Sequence, residues 1–320
     1  MLTAPLRFTP VYQPLIWGGR RMAAWRDDLP DGPIGESWDL ADHPRGMSVV
    51  AQGPHTGCSL RELTAMYGPA LVGDDFTGGD FPLMVKLIDA NERLSVQVHP
   101  DDALALSLGV GQRGKTECWL MIGDGGELFV GTKPGIDRAL FEKAVREQHV
   151  ADTLHRFHTS DGDFFFLAAR TVHAVGRGCL LYEVQQTCDM TFRVDDWGRV
   201  GPDGKPRPLH VSESLATIDF SVSSNGPVQA PFVAHPQGGS VRYLADCAYF
   251  SVQERRAIRT AGGGAGRCSI VICLSGAGHL TTAGGELTIN AMQTLLVPAA
   301  AGPWIATAIT SELHLLVAQP

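Results

Sequence analysis

The chain has 320 residues, 44% of them hydrophobic and 19% charged, with a formal net charge of −8. That apolar share is ample for a buried core, and the length suits one large domain or two moderate ones. The acidic balance argues against a nucleic-acid surface, and no apolar run approaches the ~18 residues of a membrane span. Neither nucleic acid nor membrane is therefore expected as a partner. Seven scattered cysteines without a CxxC pair fit a reducing cytoplasm better than a disulfide framework. The start, MLTAPLRFTPVYQPLIWGGRR, lacks the basic and apolar halves of a secretory signal, so a cytoplasmic location is expected.

In chain order, residues up to about Pro54 read as turn-rich with short apolar runs. Ser59 to Tyr67 predicts a short helix, with Ser59 as N-cap and Glu62 three residues on. Two strand-like runs follow, FPLMVKLI and RLSVQV, joined by a turn at Asp89–Glu92. Asp101 to Leu108 predicts a helical turn with acids at its N-terminus. TECWLMI (Thr116 to Ile122) reads as a strand. Ile136 to Phe157 reads as a helix, because Leu140, Phe141, Val145, Val150 and Leu154 recur at roughly helical spacing. Strands return with DFFFLAARTVHAV, CLLYEVQQ and MTFRV, and from about Ser221 the pattern is almost entirely β.

Aligning Ala168 with Pro298 sets GDFFFLAARTVHAVG beside QTLLVPAAAGPWIATA, a weak internal repeat. The chain is therefore expected to be mainly β, with two small barrels of related design. The first spans residues 1–220, with helical segments near 59–67 and 136–157, and the second spans 221–320. In this alignment His173 faces Pro303, so the second barrel is expected to be structural and without a metal site.

The stretch SVQVHPDD (Ser95 to Asp102) carries the first functional signal. Alternation sends Ser95, Gln97 and His99 to one face and Val96 and Val98 to the other. A strand that presents polar groups inward needs partners for them. Glu117, on TECWLMI, and His173, in TVHAV, complete a set of two imidazoles, one carboxylate and one amide. Nitrogen and oxygen donors of this mixture suit Zn²⁺, with Fe²⁺ or Mn²⁺ as alternatives. Taken singly, any one of the eleven histidines is more often a hydrogen-bonded core residue. Glu183 and Gln185 read as barrel supports, Trp17 and Trp38 as packing, and Cys118 as core.

The blocks IWGG (Ile16 to Gly19), GESW (Gly35 to Trp38), DANERLSVQVHPDD (Asp89 to Asp102), GKTECW (Gly114 to Trp119), TVHAVGRG (Thr171 to Gly178) and QQTCDMTFRVDDW (Gln185 to Trp197) resemble the type I phosphomannose isomerases, in the shorter bacterial form. The resemblance implies a cupin fold: a double-stranded β-helix, or jelly-roll, catalytic barrel with a helical insertion, plus a second, smaller cupin-like β-domain. It places the metal ligands on Gln97, His99, Glu117 and His173. It also implies interconversion of mannose 6-phosphate and fructose 6-phosphate through a cis-enediol(ate), by a monomer or homodimer acting on a small sugar phosphate.

Such a reaction needs a base near C1 and C2, stabilisation of the enediolate oxygens and a grip on the phosphate. By resemblance Arg193 is the catalytic arginine, and Lys86 and Lys115 line the pocket. Lys115 lies two residues before Glu117 and so faces the same side of its strand. Arg193 and Lys115 are assigned to catalysis, and Ser95, Lys86 and Asp189 to substrate. The base stays open among Asp189, Lys115 and a metal-bound water. Lys86, Lys115 and Arg193 are expected to form a local positive cluster.

Three departures from the pattern stand out. Ala168 and Arg170 occupy positions where many cupins have Pro and Gly, and Arg170 lies near the expected mouth. Gly114 stands where longer relatives carry a histidine. Met292 replaces a glycine expected in the tail. Two rival readings are a cupin iron oxygenase and a non-catalytic sugar-phosphate-binding protein. The first usually carries His-x-His where this chain has Gln97-x-His99.

Overall fold

The computed structural model describes residues 2–201, 204–222, 224 and 226–320, and is mostly β. The chain divides into two compact units. One gathers Met1–Val11, Trp38–Val85 and Gln229–Pro320, and the other gathers Tyr12–Ser37 and Lys86–Val228. This differs from the expected division at residue 220. The reason lies in strand pairing: Leu6–Thr9 pairs antiparallel with Thr294–Val297, with Leu6 opposite Leu296, which ties the start of the chain to the tail sheet.

In the Lys86–Val228 unit a five-stranded sheet runs in the order Leu154–His158, Glu127–Thr132, His173–Val175, Val96–Val98, Phe192–Asp195. A six-stranded sheet begins with Phe164–Leu167, Glu117–Met121 and Leu180–Gln186. Val96, Val98, Phe129, Ala174, Phe192 and Val194 pack in one core with Phe141 of the Arg138–Arg146 helix. Trp119, Met121, Leu128, Val130, Phe165 and Leu181 form a second core. Alternation along each strand separates the two faces, as the SVQVHP stretch predicted for Val96 and Val98.

The Leu60–Tyr67 helix carries a capping box: the Ser59 side chain accepts from the Glu62 N–H, and Glu62 reaches back to the Ser59 N–H. Asp101 is a simple N-cap of Asp102–Ser107, its side chain accepting from the Leu104 N–H at 2.8 Å. The helix expected over 136–157 is much shorter. It covers Arg138–Arg146, followed by a 3₁₀ turn at Val150–Thr153 and a strand at Leu154–His158. Gln148 interrupts it with φ of 60°. Val150 and Leu154 nevertheless face the same core as Phe141, which is why their spacing imitated a continuous helix.

The tail repeats the design. Arg259–Gly263, Pro303–Ala308, Ala277–Thr282 and Gly285–Asn290 form one sheet, and Ser269–Ser275 lies between Thr294–Val297 and Leu313–Gln319 in the other. His173 and Pro303 both open their strands. His173 pairs with Gln97, and Pro303 pairs with Gly263. Glu117 pairs with Leu167, and Ser269 pairs with Val297. The positions corresponding to three of the proposed ligands are thus Gly263, Ser269 and Pro303.

Candidate metal centre

His173 opens one strand of the five-stranded sheet, His99 directly follows the neighbouring strand Val96–Val98, and Glu117 comes from the other sheet. One ligand atom from each lies within 4.8 Å of the others, and all three residues are buried. His173 Nε2 is 3.2 Å from Glu117 Oε1, and His99 Nε2 is 3.7 Å from the same oxygen.

The second ring nitrogen of each imidazole fixes its protonation. His99 Nδ1 donates to the Met190 carbonyl at 2.7 Å, and His173 Nδ1 donates to the Thr171 carbonyl at 2.8 Å. Both Nε2 atoms are therefore bare in the neutral rings. Burial keeps them neutral: it pushes the His173 pKa down to about 4, and burial together with nearby Lys115 holds His99 well below the usual range. Two lone pairs thus face a carboxylate oxygen, Glu117 Oε1, that is buried and has no hydrogen-bond donor among the described residues. Such an arrangement is repulsive by itself and fits a cation at its centre. The Gln97 side-chain amide lies 3.2 Å from His173 Nε2, and turning the amide over would present its oxygen there.

Lys115 sits beside this cluster, 2.6 Å from Glu117 Oε2, 3.1 Å from Glu183 Oε1 and 3.4 Å from His99 Nε2. Burial disfavours its charge, but the two glutamates outweigh burial and hold its pKa above the ordinary lysine value. Glu183 is buried too, and Lys115 and Lys86 nonetheless keep its pKa below the usual value. Burial raises Glu117 to about 8 despite Lys115, a shift that a metal cation would reverse. Lys86 is 3% exposed and lies 3.5 Å from Glu36 Oε2 and 3.8 Å from Asp189 Oδ1.

The expected positive cluster is therefore corrected. Four carboxyl groups (Glu36, Glu117, Glu183, Asp189) face two lysines, so acidic groups outnumber basic ones around the cluster. Arg193 is held by a different set of groups from those that hold the lysines. Its Nη1 donates to the Pro208 carbonyl at 2.9 Å, and its charged neighbours are Arg207, Asp196 and Arg199.

Known proteins agree with this geometry. The sequence model of the phosphomannose isomerase type I catalytic domain matches residues 6–113, a span that includes Gln97 and His99. Mannose-6-phosphate isomerase ManA of Bacillus subtilis is 37% identical over 257 residues, covering 79% of each chain. The chain belongs to the type I phosphomannose isomerase family. Another such relative, the mannose-6-phosphate isomerase of Streptococcus mutans, is 35% identical over 75% of this chain and 74% of its own. The crystal structure of mannose 6-phosphate isomerase from B. subtilis superposes with a TM-score of 0.89 at 28% identity, covering 98% of this chain and 99% of that one. A mannosephosphate isomerase fold from Archaeoglobus fulgidus matches at a TM-score of 0.79 and 19% identity. The fold is a cupin, as the motifs predicted.

As a type I phosphomannose isomerase, the chain needs Gly114 for a structural reason. A Cβ there would lie 2.4 Å from the Pro100 carbonyl oxygen and 2.5 Å from the Asp101 carbonyl carbon. Gly114 and Lys115 donate to Asp102 Oδ1 and to Pro100 O, which fastens the two motif blocks together. No side chain, histidine included, fits at residue 114 without moving that corner. Arg170 and Met292 both adopt the left-handed backbone, with φ of 73° and 62°. The glycine pattern had marked both positions correctly, and non-glycine residues occupy them at a cost in strain. Arg170 donates through Nε to the Thr217 carbonyl and lies 3.8 Å from Asp101.

Ser95 is buried just ahead of its strand. Sequence reasoning passed over Glu36, whose only signal was its place in GESW. Glu183, expected as a support, supports the site through an ion pair with Lys115.

Proposed function

We infer that this pocket interconverts mannose 6-phosphate and fructose 6-phosphate, with Zn²⁺ as the resident ion. The observation that carries the reading is the convergence of two bare imidazole nitrogens and a donor-free carboxylate oxygen, with buried Lys115 alongside. Gln97, His99, Glu117 and His173 hold the ion, whose chemistry is to polarise a carbonyl and orient hydroxyls. Lys115 stays protonated, so its role is that of a fixed cation facing developing enediolate charge rather than that of a base. The proton between C1 and C2 then passes through a carboxylate, Glu183 or Asp189. Lys86 and Ser95 orient the substrate, and Arg193 supplies a planar, permanently charged donor pair for the enediolate or phosphate. No disulfide joins any of the seven cysteines, which supports a cytoplasmic site of action.

A coupled spectrophotometric assay with mannose 6-phosphate tests the reading. Activity should disappear with a chelator and return with Zn²⁺. Metal-loaded protein that turns over no mannose 6-phosphate would reject it.

A further inference from the structure

Arg193 sits on the outermost strand of the five-stranded sheet, where, among the described residues, one row of backbone groups has no neighbouring strand. Its N–H and C=O are nevertheless both satisfied, by the same residue. The Arg193 N–H donates to His210 Nδ1 at 3.1 Å, and the His210 N–H donates to the Arg193 carbonyl at 2.7 Å. His210 thus imitates the missing strand, with its ring standing in for a carbonyl. Two residues earlier, the Pro208 carbonyl takes the Arg193 guanidinium. The His210 ring also packs edge-on against Phe192, with centroids 6.3 Å apart, and His210 opens the Val211–Thr217 helix.

Because the backbone groups of Arg193 point outward to His210, its pairing with Gln97 on the other side is the non-hydrogen-bonded kind. In such pairs the Cα atoms approach to about 4.5 Å and the side chains lie closest. The ladder register then shifts between Arg193 and Asp195, a bulge of the kind that re-aims a side chain beside a site. Register, bulge and brace together set the direction in which Arg193 leaves the sheet, one strand away from a proposed metal ligand.

We propose that His210 is a positioning residue for Arg193, acting through the Arg193 backbone rather than touching substrate. The proposal rests on the catalytic role inferred for Arg193. It requires an acceptor at the place of His210 Nδ1. The asparagine Oδ1 can occupy that place, whereas the glutamine Oε1 is displaced by one methylene.

The test compares His210→Asn with His210→Gln, two polar variants of similar solubility, each measured for kcat, KM, metal content and melting temperature. His210→Gln should lose on the order of 10- to 100-fold in kcat, with metal content and KM held, and His210→Asn should recover most of that loss. Adding Arg193→Lys to His210→Gln should cost less than the two separate losses combined. A second readout is independent of turnover: amide hydrogen exchange at Arg193 should quicken in His210→Gln and stay slow in His210→Asn. Equal kcat in both variants together with unchanged exchange at Arg193 would overturn the proposal. Inactive parent protein with the exchange difference intact would instead count against the catalytic role of Arg193 and leave the brace standing.

Discussion

At the scale of single residues, the site depends on where each lone pair and each charge points. His99 and His173 are held with bare Nε2 atoms by carbonyls at their other nitrogens. Replacing either by alanine should bring bound metal well below one ion per chain, measured by elemental analysis of protein purified without added metal. Unchanged metal content in both variants would refute the ligand assignment. Lys115 is the inner cation, gripped by Glu117 and Glu183. Lys115→Met leaves two buried carboxylates facing each other and should destabilise the protein by about 3–5 kcal/mol. Adding Glu183→Gln should restore part of that loss in a denaturant titration. Additive losses would show that the three groups do not act as one cluster. Alternation put Gln97 and His99 on one face of their strand, because period-2 patterning reports facing directly, and the structure groups His99 with Glu117 and His173. Glu36 was not legible, since its partner Lys86 lies fifty residues away and only the fold brings them together.

At the scale of elements, short strands and caps were easier to read than the long helix. N-caps are local chemistry, so Ser59 and the acids at Asp101–Asp102 marked their helices correctly. The stretch after Arg146 misled because a 3₁₀ turn and a strand present Val150 and Leu154 to the same core that the helix faces. Burial periodicity records which side is apolar and not which backbone carries it. The Arg170 turn offers a test of strain at this scale. Its φ of 73° suits glycine and opposes a β-branched residue. Arg170→Val should therefore cost on the order of 1–3 kcal/mol, while Arg170→Gly should leave the melting temperature within a few degrees. Equal melting temperatures for the two variants would show that the backbone there is not strained.

At the scale of the whole molecule, the buried imidazoles set the acid limit. The folded-state value of His173 is about 4, below the usual 6.5, and His99 is lowered as well. Above pH 6.5 the ring is neutral whether folded or unfolded, and this contribution to stability is complete. As pH falls from about 6.5 to 4 the unfolded ring gains a proton that the folded one refuses, so stability falls. For His173 alone the loss is on the order of 3 kcal/mol. Melting temperature should drop steeply between pH 6.5 and 4, and bound metal should leave over the same range. A flat profile between pH 7 and 5 would contradict this. The two-barrel plan was visible in the repeat around Ala168 and Pro298. The membership of residues 6–9 in the tail sheet was not, because a four-residue strand carries no sign of its partner.

The tail barrel keeps the strand frame of the metal centre but places Gly263, Ser269 and Pro303 at the corresponding positions. The chain therefore contains a reference copy of its own scaffold, cut from the same pattern with the donor side chains stripped out. Adding a chelator becomes an internally controlled experiment. Amide exchange in Gln97, Glu117 and His173 should accelerate, while exchange in Gly263 and Ser269 serves as a baseline recorded in the same tube, at the same pH and on the same molecule.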